Sequence, residues 1–447
     1  MTRKKLYIQT FGCQMNVQDS AKMAALLEQA GYATTDDPEQ ADLIIVNTCS
    51  IREKATQKVY SQLGRFRALK ERNPQLLIAV AGCLAQQWGE RFFQRIPVLD
   101  LVFGTHQIHQ LPELVTELER TNRRRSQTDL TDGVCSLNVL ALPPEGTIST
   151  FVTIMQGCNN FCAYCVVPYL RGREVSRPLR EIVKEIEILA GRGIREVTLL
   201  GQNVNSYGGK QSEGADFADL IHAIGEINGI ERIRFTTSHP KDLSPKLIAC
   251  FGRVPSLCEH IHLPVQSGSD RVLALMNRGY TAEAYLEKVI ALRSACPSIA
   301  ITSDVIVGFP DEQEADFQET LALMEKVRFD NLFSFQYSER EGTAAVGMAG
   351  QVSGTVKRER LRILQKLQAT HTMEKNRECV GKLEPVLVEG LSKTSSQEIT
   401  GRTKGNRIVN FSGKKELIGK MANVKIVGAF LHSLRGELEE RGGADVH

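Results

Sequence analysis

Long apolar runs are missing from this 447-residue sequence, and none reaches the ~18 residues that a membrane-spanning helix requires. The N-terminal stretch MTRKKLYIQTFG has no apolar segment of the kind that directs secretion. The formal net charge is only +3, so no strong overall charge marks the chain. These absences predict a cytosolic protein without a membrane segment. At about 150 residues per domain, the length predicts two or three domains.

A disulfide framework is also missing. The chain has 11 cysteines, an odd number, and they are spread along its length rather than concentrated in a small secreted domain. In a reducing compartment, closely spaced cysteines bind metal or take part in catalysis more often than they pair with one another. The cysteines are therefore the first candidates for chemistry.

The segment GCNNFCAYC, residues 157–165, carries three cysteines but no fourth ligand. Cys158, Cys162 and Cys165 have no other Cys or His within twenty residues on either side. A closed structural zinc site takes four protein ligands, usually as two separated pairs, so zinc is disfavoured. Thiolates are the usual ligands of iron–sulfur clusters, and three of them leave one iron open for a group that is not protein. The alternative is a tight loop with incidental cysteines.

Three further cysteines recur at similar positions in the first 100 residues. Cys13, Cys49 and Cys83 each follow a strand-like apolar run and precede a helical pattern, at spacings of 36 and 34 residues. In a parallel sheet the ends of such strands meet at one edge, where ligands of open α/β sheets bind. The pattern predicts that the three thiols converge. The alternative is simple packing, because Cys is among the most often buried residues.

Between about residues 150 and 340, short β-branched runs alternate with segments of helical periodicity. Alternation of this kind predicts βα units around a parallel sheet. A full eight-unit barrel needs about 250 residues, so this shorter region suits a partial barrel of six units. The predicted strands are 151–155, 196–203, 232–238, 260–265, 300–309 and 330–338.

The flanking segments define the remaining domains. Residues 121–147 combine an Arg triplet, turn residues and a Pro–Pro pair without periodicity, which predicts a linker between an N-terminal α/β domain (1–120) and the barrel (148–352). A charged amphipathic helix is predicted over 353–380. Residues 381–447 then change to short strands with turns, which predicts a small five-stranded β-barrel.

Positive charge is concentrated in this C-terminal module. Residues 381–435 hold ten Lys or Arg against four Asp or Glu. Local basicity of this kind is typical of nucleic-acid binding, and a plain surface excess of Lys is the alternative. A second basic run, RGREVSR, follows the cysteine loop and suits phosphate or carboxylate contacts, unless it is only a solvated loop. The candidate RNA-binding residues are Arg171, Arg173, Arg177, Arg402, Lys404, Arg407, Lys414 and Lys415.

The spacing C-x3-C-x-aromatic-C resembles the hallmark of the radical S-adenosylmethionine superfamily, with Tyr164 as the aromatic residue. The resemblance implies that Cys158, Cys162 and Cys165 hold three irons of a [4Fe–4S] cluster. S-adenosylmethionine would chelate the fourth iron and, after reduction, yield a 5′-deoxyadenosyl radical. The superfamily's partial (β/α)6 barrel would place cofactor contacts in the loops at the strand ends. The residues so implicated are Tyr164, Gln202, Asn203, Ser238, Gln266, Ser267 and Asp304.

Two three-cysteine sites narrow the resemblance to the methylthiotransferases, in which a cysteine-bearing domain, a radical barrel and a small RNA-binding TRAM barrel follow one another. The runs YIQTFGCQMNVQDS (7–20) and GCNNFCAYCVVPYLRGREVSRP (157–178) resemble the branch that acts on N6-isopentenyladenosine in tRNA. The resemblance implies a transferase that replaces the C2 hydrogen of this base, next to the anticodon, with a methylthio group.

The same resemblance implies the partners of the reaction. A second [4Fe–4S] cluster, held by Cys13, Cys49 and Cys83, would carry the sulfur. A second molecule of S-adenosylmethionine would methylate it. A flavodoxin- or ferredoxin-type protein would supply the electron, and a monomer is expected.

Two alternatives stay open on the sequence. A sibling methylthiotransferase would modify threonylcarbamoyl-adenosine in tRNA or an aspartate of a ribosomal protein. A non-catalytic, RNA-binding iron–sulfur sensor would belong to a different class. A sensor would normally complete four protein thiolates, and neither cysteine site does so, which favours the enzyme.

Overall fold

A computed structural model of the protein describes residues 3–50, 53–131, 139–209, 212, 214–392, 395 and 397–439. Part of the predicted linker and the last residues of the C-terminal module lie outside the described residues. Three regions follow one another along the chain: an α/β sheet, a partial βα barrel and a small closed barrel. In the described part of the chain, no helix is both long enough and apolar enough to cross a membrane.

The N-terminal region is a six-stranded sheet built from β1 Lys4–Thr10, β2 Tyr32–Thr34, β3 Leu43–Thr48, β4 Leu77–Gly82, β5 Leu101–Phe103 and β6 Arg125–Gln127. All neighbours are parallel, in the order β2-β1-β3-β4-β5-β6. β3 and β4 are fully buried because both faces of the sheet are covered, which their apolar runs LIIVNT and LIAVAG require. The covering helices are α1 Gln14–Gln29, α2 Glu53–Arg72, α3 Cys83–Trp88, α4 Arg91–Arg95 and α5 Leu111–Thr121.

The central region contains six parallel strands: β7 Ser149–Thr153, β10 Glu196–Leu200, β11 Arg232–Phe235, β12 His260–His262, β13 Ala300–Val307 and β14 Asn331–Gln336. They form two sheets of three, β7-β10-β11 and β12-β13-β14, and the two sheets meet where Cys258 N donates to Ile233 O at 2.9 Å. The strands therefore follow one another in chain order around an arc, and the predicted partial barrel is confirmed. A short antiparallel pair, β8 Met155–Gln156 and β9 Val175–Ser176, flanks the cysteine loop.

Helices cover the outside of this arc. They are α7 Leu179–Gly191, α8 Phe217–Gly225, α9 Pro245–Arg253, α11 Ala282–Ala295 and α12 Glu314–Val327, whereas α6 Val167–Arg171 follows the cysteine loop and α10 Asp270–Leu275 packs with that loop. Along β13, Ile301 and Val305 are buried in the core against these helices, whereas Thr302 and Asp304 are only half-buried. Since side chains alternate along a strand, Thr302 and Asp304 face the inside of the barrel.

The C-terminal region begins with α13 Gly354–Arg377, the predicted amphipathic helix. Five strands then close a barrel in the order β15-β16-β17-β19-β18, and the predicted small β-barrel is confirmed. The strands are β15 Leu383–Leu391, β16 Glu398–Arg402, β17 Ile408–Ser412, β18 Met421–Ala429 and β19 Leu434–Leu438.

The small barrel packs under the amino-terminal ends of the central strands. Arg232, at the start of β11, donates to the carbonyl oxygens of Arg402 at 2.6 Å and Pro385 at 2.8 Å. Arg234 donates to the carbonyl oxygen of Thr403 at 2.8 Å. The carboxyl-terminal ends of the central strands, where sites of such barrels lie, are on the opposite side.

Candidate functional site

The first cysteine triad lies at one edge of the N-terminal sheet. Cys13, Cys49 and Cys83 follow the carboxyl ends of β1, β3 and β4, which are neighbours in the sheet. Gly12 shows how closely these ends pack: its φ is +140°, and a Cβ there would lie 2.7 Å from the Cβ of Cys49. A larger residue at position 12 would therefore push the ends of β1 and β3 apart.

Two buried asparagines fix these strand ends. Asn16 Nδ2 donates to Asn47 Oδ1 and to the carbonyl oxygen of Thr48, each at 3.0 Å. Asn47 Nδ2 donates back to the carbonyl oxygen of Asn16 at 2.8 Å. Cys13 Sγ donates to Asn16 Oδ1 at 3.3 Å, so the network ties the first cysteine to the strand that carries the second.

A buried arginine of the central region lies against this triad. Arg171 pairs with Asp19 Oδ2 at 2.8 Å, and its side chain is only 4% exposed. Burial opposes its charge, yet interactions with Cys83, Asp19 and Cys13 hold the pKa of Arg171 well above its usual range. Burial raises the pKa of the Cys83 thiol, and Arg171 partly offsets that effect. Nη1 of Arg171 is buried without a hydrogen-bond partner, so one donor remains for an anionic group.

The second triad lies in the loop between β8 and α6. Gly157 precedes it with φ +82°, and a Cβ there would lie 2.0 Å from a backbone carbonyl oxygen. Gly157 N donates to Gln202 Oε1 at 2.6 Å, and Cys165 N donates to Cys162 O at 2.9 Å. Burial raises the pKa of Cys158 to about 11 and that of Cys165 to about 12, and interactions with the Cys162 thiol add to both.

This triad also has a buried arginine beside it. Arg278 Nη1 donates to Cys162 Sγ at 3.2 Å and to Tyr164 Oη at 3.3 Å, and Nη2 donates to the carbonyl oxygen of Pro264 at 2.8 Å. Although burial opposes its charge, interactions with Tyr164, Tyr280 and Cys162 hold the pKa of Arg278 above its usual range. Each cysteine triad is therefore accompanied by one buried guanidinium.

The donor sets suit iron–sulfur clusters better than single metal ions. Within the described ranges, no group of three or more His, Cys, Asp or Glu side chains could hold one metal ion. In a cluster each thiolate binds a different iron, so the ligands stand farther apart than those of a single ion. Three thiolates with a buried cation beside them match the ligand type and the negative charge of such a cluster.

Polar side chains surround the second triad at the carboxyl ends of the barrel strands. Asn203 follows β10, Ser238 follows β11 and Gln266 follows β12. Asn203 Oδ1, Ser238 Oγ and Gln266 Oε1 are buried atoms without a hydrogen-bond partner. Because such atoms cost free energy unless a partner is supplied, they suit a bound molecule with amino, carboxylate and hydroxyl groups, as S-adenosylmethionine has.

Three other predicted cofactor contacts already have partners within the chain. Gln202 holds the Gly157 amide. Ser267 Oγ lies 3.3 Å from Thr320 Oγ1. Asp304 lies within β13 rather than in the loop after it, and its Oδ1 is 3.4 Å from His262 Nε2. The expectation that Asp304 sits at a strand end is therefore wrong, because β13 extends to Val307.

The helix α6 connects the two triads. It begins two residues after Cys165 and ends at Arg171, which reaches the first triad. Val166 and Leu170 pack with Cys83 in one apolar cluster. A five-residue helix is about 7.5 Å long, so the two sites lie close together.

The basic run after the cysteine loop is mostly buried. Arg171 pairs with Asp19, and Arg177 Nη2 pairs with Glu185 Oε2 at 2.7 Å with its side chain 6% exposed. These two arginines are not on the surface, which corrects their prediction as RNA contacts. Arg173 is exposed.

Of the predicted RNA-binding residues of the small barrel, three have partners within the chain and two are exposed. Arg407 pairs with Asp330 of the central region, and Lys404 Nζ donates to a backbone carbonyl oxygen of that region at 2.9 Å. Arg402 pairs with a glutamate of the neighbouring strand at 2.9 Å. Lys414 and Lys415 are exposed at the surface.

Sequence reasoning missed Arg278. It lies 113 residues after Cys165, outside every motif, and no periodicity marks it. Its only signal is a lone cation after an apolar segment, in LALMNRGY. That signal is weak because only the three-dimensional structure brings it to the cysteine loop.

Three family models match successive parts of the chain. They are "Uncharacterized protein family UPF0004" at residues 5–104, "Radical SAM superfamily" at residues 152–324 and "TRAM domain" at residues 377–438. The two cysteine triads fall within the first and second matches, and the closed barrel falls largely within the third.

Curated relatives match the chain along nearly its whole length. A protein of Syntrophus aciditrophicus (strain SB), named tRNA-2-methylthio-N(6)-dimethylallyladenosine synthase, is 60% identical over 98% of this chain and 95% of its own length. A protein of Geobacter sulfurreducens with the same name is 56% identical over 98% of both chains.

Solved structures share the fold at low sequence identity. The radical S-adenosylmethionine methyltransferase TsrM of Kitasatospora setae is 14% identical, with a TM-score of 0.58 over 88% of this chain and 79% of that chain. The cobalamin-dependent radical enzyme OxsB is 13% identical, with a TM-score of 0.53 over 82% and 56%.

Proposed function

Because the chain belongs to the tRNA-2-methylthio-N(6)-dimethylallyladenosine synthase family, we propose that it adds a methylthio group to C2 of N6-dimethylallyl (isopentenyl) adenosine next to the anticodon of tRNA. The observation that carries the proposal is 60% identity over 98% of the chain to a relative of that name. Both relatives carry this name rather than that of a sibling enzyme, which argues against the sibling substrates and against a non-catalytic sensor.

We propose that Cys158, Cys162 and Cys165 hold a [4Fe–4S] cluster whose open iron takes S-adenosylmethionine. Together they supply, when bound, the radical chemistry needed at a purine C–H bond that no side-chain base can deprotonate. The chain itself holds the loop in place, since the bond from Gly157 N to Gln202 fixes its first residue. The partnerless oxygens of Asn203, Ser238 and Gln266 supply polar contacts to the cofactor.

Cys13, Cys49 and Cys83 are proposed to hold a second [4Fe–4S] cluster, the source of the transferred sulfur. Its support is the shared sheet edge and the buried, unpaired Nη1 of Arg171, whose guanidinium interacts with Cys83 and Cys13. A cation in this position balances the negative charge that three thiolates bring. The Asn16–Asn47 network keeps the strand ends at fixed spacing.

For the partners, we propose that Arg173, Lys414 and Lys415 contribute to binding of the tRNA backbone, because they are exposed and basic. Arg402, Lys404 and Arg407 instead help to hold the small barrel to the central region or within itself. We further propose an electron donor of flavodoxin or ferredoxin type, a monomeric enzyme and a cytosolic location. The donor follows from the chemistry, because the radical cluster must be reduced by an external electron.

The test is an anaerobic reaction of the reconstituted protein with prenylated tRNA, S-adenosylmethionine and a strong reductant, followed by mass spectrometry of the nucleosides. The expected product is 2-methylthio-N6-isopentenyladenosine, and unprenylated tRNA is the matched control. If 5′-deoxyadenosine accumulates while no methylthio nucleoside forms, the substrate is wrong. Absence of both products would overturn the radical chemistry itself.

A further inference from the structure

The inner face of the central barrel carries two exposed phenylalanines. Phe333 and Phe335 alternate along β14 and are 51% and 41% exposed. In the register of the sheet they pair with Asp304 and Ile306, on the inner face, whereas Leu332 packs into the core. Because β14 is the last strand of the arc, the two rings border its open side. Large exposed apolar surface in a concave site is a mark of ligand binding.

A fixed polar side chain stands beside these rings. The imidazole of His262 is edge-on to Phe333, with the ring centroids 5.9 Å apart. Its Nδ1 lies 3.0 Å from Thr302 Oγ1, and its Nε2 lies 3.4 Å from Asp304 Oδ1. Both ring nitrogens are engaged, so the orientation of the imidazole is set. The result is a surface with an aromatic side and a carboxylate side.

The strand that carries the two rings leads to the loop of the second cysteine triad. Tyr337, two residues after Phe335, packs in one cluster with Ala163 and with the half-buried Tyr164 of the cysteine loop. A strand rises about 3.3 Å per residue, so Phe335 and Phe333 lie roughly 7 and 13 Å along the strand from that cluster. This interval is comparable to the length of an adenine that carries a prenyl chain.

We propose that Phe333 and Phe335, with His262 and Asp304, form the seat of the prenylated adenine, with C2 toward the cysteine loop and the prenyl chain toward Phe333. The inference rests on the proposed function and identifies the residues that select its substrate. Enzymes that act on a base take it out of the stack and hold it against aromatic or apolar side chains. The Asp304 carboxylate is an acceptor for the single N–H that remains on N6 after prenylation.

The chemistry of the seat explains a preference for the prenylated base. The prenyl chain covers the exposed rings, and an unmodified adenine would leave Phe333 open to water. This geometry assigns Asp304 to the substrate and leaves the cofactor to the loops after β10, β11 and β12. Phe333 is therefore a specificity-determining residue, and Phe335 contacts the adenine ring itself.

The experiment uses the full chain with reconstituted clusters and two synthetic anticodon stem-loops that differ only in the prenyl group. Dissociation constants are measured for the wild type, Phe333→Ala, Phe335→Ala and the double variant. Removal of an aromatic ring that stacks on a base weakens binding by roughly tenfold or more. We expect Phe333→Ala to bind the prenylated RNA about tenfold more weakly and the unmodified RNA with a much smaller change, whereas Phe335→Ala, beside the adenine ring, should weaken binding of both RNAs. Ile290→Ala, at a 59% exposed position on the outer helix α11, is the matched control and should bind as the wild type does.

The outcomes distinguish a wrong assignment of the adenine-binding site, the seat, from a wrong assignment of the reaction. Unchanged affinity of the double variant for the prenylated RNA overturns the seat. Equal weakening of both RNAs by Phe333→Ala also overturns it, because that position would then bind RNA without regard to the prenyl group. Iron content and melting temperature of each variant show whether a decrease in affinity comes from misfolding. If the wild type makes no methylthio nucleoside, both the proposed function and the proposed adenine-binding site are wrong. If the wild type makes the product but the variants show no selective loss of affinity, only the proposed binding site is wrong.

Discussion

At the scale of single residues, the two buried arginines have the most direct influence on the cysteine sites. Arg278 donates to Cys162 Sγ at 3.2 Å, and the charge of Arg171 interacts with Cys83. A cation beside a cluster stabilises its reduced form, because reduction adds negative charge. We therefore expect the arginines to position the cysteine sites and to tune their reduction potentials.

Arg278→Met tests this role. Removing the charge should shift the reduction potential of the radical cluster to more negative values by on the order of 100 mV, since unit charges a few ångströms apart interact by about 4 kcal/mol at an effective dielectric of about 20. The measurement is a potentiometric titration followed by electron paramagnetic resonance. Arg362→Met, which removes an arginine in an exposed pair with Glu359, is the control and should leave the potential unchanged. An unaltered potential in Arg278→Met would contradict the assignment.

At the scale of elements, the strand ends determine where the chemistry lies. β1, β3 and β4 are adjacent in the sheet, and each is followed by one cysteine of the first triad. Replacing Cys13, Cys49 and Cys83 with Ala should remove about half of the bound iron, because only one of the two proposed four-iron clusters would disappear. Formation of 5′-deoxyadenosine should persist while methylthio transfer is abolished.

The control for this prediction is the reciprocal variant. Replacing Cys158, Cys162 and Cys165 with Ala should also remove about half of the iron but should abolish 5′-deoxyadenosine. Iron content equal to that of the wild type in the first variant would show that the N-terminal thiols hold no cluster.

The sequence was informative about elements because strand and helix patterns are local. The three cysteine-bearing βα units, the six central strands and the small barrel could all be predicted, since each depends on periodicity within a short window. Arg278 could not be predicted, because its hydrogen bond to Cys162 depends on how distant segments pack. The burial of Arg177 was missed for the same reason: a basic run looks exposed until its partner Glu185 is known.

At the scale of the whole molecule, ion pairs join the three regions. Arg171 and Asp19 are 4% and 8% exposed and connect the central region to α1. Asp19→Ala leaves a buried guanidinium with fewer partners, so we expect the free energy of unfolding to fall by about 3 kcal/mol. Chemical denaturation followed by circular dichroism measures the change. Glu71→Ala, in an exposed pair with Arg67, should cost less than about 1 kcal/mol. A similar cost for both variants would show that the buried pair is not important for the docking of the regions.

Binding of tRNA involves the surface of the small barrel. Lys414 and Lys415 are exposed, so the Lys414→Ala, Lys415→Ala double variant should bind tRNA more weakly, and the slope of log K against log salt should decrease by about 1 for each phosphate that is no longer neutralised. Filter binding over a range of salt concentrations provides the slopes. Lys366→Ala, at an exposed position of α13, is the control. An unchanged slope in the double variant would exclude these lysines from the interface.

The short helix α6 has a consequence for the timing of the reaction. One end of it follows Cys165, the other carries Arg171, and Val166 and Leu170 pack on Cys83, so this helix links the two cysteine sites directly. Under the proposed assignment of the two clusters, a base activated beside the second triad is already next to the sulfur source at the first. On that assignment, a short-lived carbon radical would react with the neighbouring sulfur before water or a stray thiol could quench it.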